Sequence, residues 1–352
     1  MKIYVNARFL TQPVSGVQRY GIECSRQIRK KHTNIVFLSP PDILHKEIAA
    51  ELGAEVIGKN TGHLWEQIDL PRYLAKQGHP PLLNLANTAP LSYSNNYITI
   101  HDLAFFHHPE WNSKLFSKWY NFLVPRLAKK AKHIFTVSNT MRDEIVKHYH
   151  IPAAKLSVTY NGLSQNILKY PHGGAVKEKI ILSVGSFNTR KNHHSLIKAF
   201  IGSNVKERYR LVIIGDKNKV FSESGLDEAL ISNNNIDILQ RLTEDELAAT
   251  YAKAEIIVSL SMYEGFGIPV LEGLYFDCKV LCSDIPVYRE LYDKYAYFCN
   301  PYAITDIQAA LETVAGSDSK GSDAKELFGK YNYSRAADTI LQYIVPGIPD
   351  TI

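Results

Sequence analysis

The chain has 352 residues, more than one hydrophobic core usually serves, so two domains are expected. Hydrophobic residues make up 45% and charged residues 21%, which fits a folded globular protein and excludes a disordered or fibrous one. The net charge is +5, no run nears the roughly 20 apolar residues that span a bilayer, and "MKIYVNARFL" lacks a leader pattern, so a cytosolic protein is expected.

Short apolar, β-branched runs alternate with longer amphipathic ones. Strands are predicted at 2–8, 34–40, 81–87, 97–103 and 133–139, with helices at 16–31, 64–77, 113–131 and 140–150. A stretch rich in Gly, Asn and Pro, 161–179, reads as a linker. The alternation then restarts. Strands are predicted at 179–186, 210–216, 236–240, 255–261, 279–284 and 295–300, and helices at 190–203, 243–253, 269–276, 286–294 and 303–316. One more amphipathic helix is predicted at 333–347. The fold class is therefore α/β, with two doubly wound Rossmann-like domains facing across a cleft, the natural ligand site of such sheets.

The four cysteines (Cys24, Cys278, Cys282, Cys299) lack paired metal spacing and read as reduced thiols. Basic residues gather in "RQIRKKH" (26–32) and "RLAKKAKH" (126–133), each near a predicted helix end, where cations suit the dipole. Each fits a solvated helix face, or weak attraction to anionic lipid or a phosphate-bearing substrate. No reader motif is present, so nucleic acid is not an expected partner.

Neither sheet opens with G-x-G-x-x-G, and no G-x-x-x-x-G-K-[ST] occurs, so dinucleotide enzymes and P-loop nucleotidases are unsupported. Arg190-Lys191 follow the first strand of the second half and open its helix, where cations could clamp a diphosphate, although such a pair also fits a solvated helix start. In "SMYEGFGIPVLEG" (261–273), Gly265 and Gly267 let backbone approach a ligand and Pro269 suits a first helical turn. Glu264 on that loop and Glu272 one turn into the helix could accept bonds from two polyols. His101-Asp102, in "ITIHDLAFFHHPEW", end a buried strand and read as functional. Adjacent His107-His108 point apart with no third ligand spaced for them, so no metal site is expected. His193-His194 are expected at the surface.

Taken together these stretches resemble glycosyltransferase family 4, the large retaining family with the GT-B fold. The most specific element is the E-x7-E pair Glu264 and Glu272, supported by "SVGSFNTRKNHHSLIKAF" (183–200), "HDLAFFHHPEW" (101–111), "VSGVQRYG" (14–21) with Gly16, and "TVSNTMRDEI" (136–145). The resemblance implies that Glu272 holds the ribose of a nucleotide-sugar donor. It gives the donor sugar to Glu264 and the backbone N–H groups of Gly265, Phe266 and Gly267, the leaving diphosphate to Arg190 and Lys191, and a place beside the sugar to His101. Gly16 would let its loop approach the diphosphate or the acceptor. It further implies a metal-independent reaction without a cofactor, in which Glu264 positions the sugar and is not a nucleophile.

The domains implied are an acceptor-side domain, 1–165, and a nucleotide-sugar-binding domain, 166–332, with 333–352 returning to the first. Departures from the family pattern are Gln240-Arg241 where a glycine is usual, Thr189 before the basic pair, and a single glycine in the first loop. The expectation is a hexosyltransferase of bacterial surface polysaccharide (lipopolysaccharide) synthesis, resembling mannosyl- and rhamnosyltransferases. GDP-mannose leads as donor, the acceptor is a saccharide or lipid-linked saccharide, and an anionic inner membrane face is a peripheral partner. The rivals are a nucleotide-sugar 2-epimerase of the same architecture and a non-catalytic sugar-nucleotide-binding protein.

Overall fold

The computed structural model describes residues 2–215, 235–318 and 324–345. The chain divides into two units, Met1–Asn161 with Tyr331–Ile352, and Gly162–Lys330. In the first, β1 (Ile3–Asn6), β2 (Ile35–Ser39), β3 (Glu55–Val56), β4 (Leu82–Asn84), β5 (Asn96–Ile100), β6 (His133–Thr136) and β7 (Leu156–Val158) lie in the order β3-β2-β1-β4-β5-β6-β7, all parallel. In the second, β8 (Glu178–Val184), β9 (Arg210–Ile214), β10 (Ile236–Leu239), β11 (Ala254–Ser259), β12 (Lys279–Ser283) and β13 (Tyr297–Cys299) are ordered β10-β9-β8-β11-β12-β13, again parallel.

Helices cover both faces of such sheets, which is why the central strands are nearly continuous apolar runs. All of Ile3–Asn6 is buried, as is Ile256–Ser259. The strand order reverses between β1 and β4 in one unit and between β8 and β11 in the other. Ligands of open parallel sheets bind outside the carboxyl ends of the strands at such reversals. Each unit therefore has one privileged place for chemistry.

Two strands, β3 and β7, fall below the length at which an apolar run is readable, and the sequence reading misses them. It also misses the helices Lys46–Leu52 and Lys325–Lys330, each under two turns. The predicted helix 64–77 is instead three pieces, Gly62–Leu64, a π-helical turn Trp65–Asp69, and Leu70–Lys76. Asp216 of the predicted strand 210–216, residues 346–347 of the predicted last helix and residues 348–352 lie outside the described residues.

The helix Tyr333–Ile344 packs on the helix Gly16–Lys31, within the first unit. Tyr333 meets Tyr20 edge-on, Lys31 Nζ lies 2.7 Å from Asp338, and Tyr343 stacks on His133 at 3.7 Å between ring centroids. Among the described residues no helix is long and apolar enough to cross a membrane. The four cysteines are buried and unbridged.

Candidate active site

In the second unit the loops after β8 and β11 meet at the strand-order reversal. The backbone N–H of Met262 donates to the carbonyl of Arg190 at 2.9 Å, locking the two loops together. Lys191 Nζ donates to Glu264 Oε1 at 2.5 Å, and Arg190 lies 3.8 Å from Glu264 Oε2. Glu264 is 7% exposed. Burial by itself would raise its pKa, but the charges of Lys191 and then Arg190 outweigh burial and hold the carboxyl at about 2. The site thus keeps a buried carboxylate between two cations.

One expectation is corrected here. Arg190 and Lys191 do not open the α-helix. They occupy a 3₁₀ turn, Thr189–Lys191, capped by the Asn188 side chain, which accepts from the Lys191 N–H at 3.1 Å. Asn192 then takes the left-handed conformation (φ 57°), and the α-helix runs His193–Gly202. The extra turn aims both cations at Glu264 rather than leaving them on a helix start.

His193, expected at the surface, is buried. It is 4% exposed, near Ser183, because the left-handed Asn192 turns the first helical residue inward. Burial and the neighbouring Lys191 charge push its pKa down to about 4, so the ring is neutral. His194 is half-buried.

Glu272 sits in the helix Ile268–Tyr275, 3% exposed, and accepts from the Tyr251 hydroxyl at 2.8 Å. Gly267 caps that helix at φ 89°, and a Cβ there would stand 2.4 Å from Tyr288 Cε1. Only glycine meets both conditions. Phe266 is buried edge-on to Tyr292, and Gly265 is buried beside it.

In the first unit His101 follows β5 and is 6% exposed. Its Nε2 lies 2.9 Å from the Leu85 carbonyl, which can only accept, so Nε2 carries the proton and Nδ1 is the acceptor of the neutral ring. Burial lowers its pKa, and the Leu85 bond and Asp102 oppose this only in part. Tyr20 stands edge-on to the ring at 4.9 Å, and the Tyr20 hydroxyl bonds Thr159 at 2.7 Å. Asp102 accepts from the Ala104 N–H at 3.1 Å, a local turn. Gly16 begins its helix at an exposed position, after Ser15, whose contact with Gln18 forms a capping box. His107 and His108 take separate carboxylates, Glu144 at 3.1 Å and Glu110 at 3.0 Å.

The sequence reading missed a buried polar centre at the other reversal. Arg8 Nε lies 3.2 Å from Glu66 Oε1, and Arg8 also donates to Thr88 Oγ1 at 2.7 Å. Asn6 and Thr88 donate to the same carboxylate oxygen, each at 3.0 Å. His63 Nδ1 lies 3.3 Å from Glu66 Oε2. Burial pushes the Glu66 pKa up, yet Arg8 and the His63 bond bring it to about 2. The only hint in the sequence is an arginine just past a buried strand, since its partner lies 58 positions away.

Comparison with known proteins fits both halves of this picture. Residues 165–334 match the family model "Glycosyl transferases group 1", and residues 14–166 match "Glycosyltransferase Family 4". The chain is 32% identical over 248 residues to the O-antigen chain mannosyltransferase RfbU of Salmonella typhimurium, covering 69% of this chain and 67% of RfbU. It is 32% identical over 167 residues to the Campylobacter jejuni N-acetylgalactosamine-N,N'-diacetylbacillosaminyl-diphospho-undecaprenol 4-alpha-N-acetylgalactosaminyltransferase, covering 46% of this chain and 44% of that enzyme. Among solved structures, Anabaena Alr3699/HepE in complex with UDP and glucose is similar in fold, with a TM-score of 0.74 at 15% identity over 98% of this chain and all of that one. With two parallel Rossmann-like units and both family models matched in order, the chain belongs to glycosyltransferase family 4, with the GT-B fold.

Proposed function

We propose that this glycosyltransferase moves mannose, with retention of configuration, from GDP-mannose to a saccharide acceptor during synthesis of a bacterial surface polysaccharide. Mannose is favoured by the likeness to RfbU. The observation that carries the donor assignment is the Lys191–Glu264–Arg190 cluster at the strand-order reversal of the second unit. When the bond from the sugar C1 to the diphosphate oxygen breaks, negative charge grows on the leaving phosphate. Two preorganised cations meet that charge without a metal ion. The acceptor hydroxyl forms the new bond to C1, and its proton passes to the leaving phosphate.

Glu264 then gives up its cations to the diphosphate and, with the backbone N–H groups of Gly265, Phe266 and Gly267, holds the sugar. Glu272 takes the ribose. His101, as a neutral imidazole, and Gly16 are assigned to the same reaction. A thermal-shift panel of GDP-, UDP- and dTDP-sugars tests this, because a ligand of the folded state raises the unfolding midpoint. GDP-mannose should give the largest shift, and Lys191→Ala should abolish it. No shift from any sugar nucleotide would overturn the assignment.

The acceptor is proposed to be lipid-linked, as in the name of the Campylobacter relative, and reached at an anionic membrane surface. Support comes from the helix Lys114–Lys130, where Leu115 is 80% and Phe122 45% exposed, in one stripe with Lys118, Arg126 and Lys129. Co-sedimentation with phosphatidylglycerol vesicles should be seen at low salt and weaken as salt rises. Absence of binding at low salt removes this part of the proposal.

A further inference from the structure

Resting on the transferase reading, we propose that the polar centre of the first unit, Arg8 and Glu66 with His63 and Trp119, is a saccharide subsite that grips a pyranose of the acceptor. Arg8 follows β1 and Thr88 follows β4, so the centre lies at the strand-order reversal, the counterpart in this sheet of the Lys191–Glu264 cluster in the other.

A buried Arg–Glu pair costs desolvation that its attraction barely offsets, so stability alone is a weak reason to keep one. Here Arg8 is 6% and Glu66 1% exposed. Glu66 is also delivered by a π-helical turn, Trp65–Asp69, a distortion found frequently at functional positions.

Among the described residues, the buried Nε1–H of Trp119 has no hydrogen-bond partner. The Trp119 ring meets His63 edge-on at 5.9 Å, and Tyr120 meets it at 6.0 Å. His63 is 36% exposed, so the cluster opens to solvent there.

The chemistry of the pieces is complementary. Glu66 can only accept, so His63 Nδ1 carries the proton between them and Nε2 is left as the second polar atom of the ring. Trp119 Nε1 is a pure donor. A sugar hydroxyl both donates and accepts, so neighbouring hydroxyls of one pyranose satisfy His63 and Trp119 together. The aromatic rings of Trp119 and Tyr120 offer apolar surface to the C–H face of the sugar. Arg8 and Glu66 fix the orientation of His63 from behind, as positioning residues.

The test uses methyl glycosides of mannose, galactose, glucose and N-acetylglucosamine as probes, with binding read by ligand-observed NMR. Trp119→Phe keeps an aromatic ring and deletes the N–H, and His63→Ala deletes the imidazole. Both positions are partly exposed, and an unchanged unfolding midpoint verifies that each variant is folded. At least one glycoside should bind the wild type, and each variant should weaken it about five- to tenfold, as expected for one neutral hydrogen bond. The sugar-nucleotide thermal shift should stay at its wild-type size in both. A glycoside that binds wild type and variants alike overturns the subsite. So does the absence of glycoside binding when the donor shift is present. A missing donor shift in the wild type defeats the transferase reading instead, and the subsite falls with it.

Discussion

Replacing Glu264 with Gln keeps the shape of the side chain and removes the charge that sits between Lys191 and Arg190. The folded carboxyl titrates at about 2, with burial opposing and the two cations favouring its ionised form. An unfolded glutamate titrates near ~4.3, and the gap at about 1.4 kcal/mol per pH unit gives roughly 3 kcal/mol of stability at pH 7. Because the folded value is the lower one, this contribution is complete above the unfolded pKa and drains away as pH falls towards 2. About half should remain near pH ~3. Urea unfolding of wild type and Glu264→Gln at pH 7, 5 and 3 measures the difference directly. A second readout is calorimetric titration with free GDP or UDP, which lack the sugar. With its carboxylate competitor gone, the cation pair should bind the diphosphate more tightly, while turnover of the intact donor falls. A stability loss under about 1 kcal/mol at pH 7 would refute the reasoning, because it would leave the pair no more than a surface salt bridge. A loss that does not change with pH, or weaker GDP binding, would refute it equally.

Gly267→Ala should destabilise the second unit by about 1–3 kcal/mol from backbone strain alone, with the clash on Tyr288 added, and an unchanged unfolding midpoint would contradict this. His101 should be neutral at pH 7 with its proton on Nε2, which ¹⁵N correlation spectra of the ring can establish. Protonation at or above the ordinary histidine value would contradict the burial argument. Chelation with EDTA should leave turnover unchanged if Lys191 and Arg190 carry the leaving charge, and activity lost to EDTA and restored by magnesium would contradict it. Arg8→Leu should cost about 3–5 kcal/mol by stranding a buried carboxylate, measurable by urea unfolding.

The cluster of the second unit was readable because its residues are close in sequence. Glu264 and Glu272 flank one turn, and Arg190-Lys191 follow a strand whose apolar run is unmistakable. What could not be read was which way each residue points. Asn192 adopts a left-handed conformation that inserts a 3₁₀ turn ahead of the helix, and this single residue both redirects the cations and buries His193. The centre around Arg8 was invisible for a different reason. Its members come from four separate stretches, and its carboxylate is turned inward by a π-helical step that leaves no mark on hydrophobic periodicity. Arg241 shows the converse. Gln240-Arg241 stand where a glycine is usual, and the φ of 52° at Arg241 shows that the backbone takes the left-handed form there.

The helix Tyr333–Ile344 closes the unit in which the chain begins, and this sets an order of events during synthesis. The second unit is one continuous stretch, Gly162–Lys330, and can complete its core as soon as it leaves the ribosome. The first unit cannot. Until Ile344 emerges, the face of the helix Gly16–Lys31 that meets the last helix stays uncovered. The half made first is therefore the half finished last, and a nascent chain stalled before residue 333 carries an apolar face that chaperones would recognise.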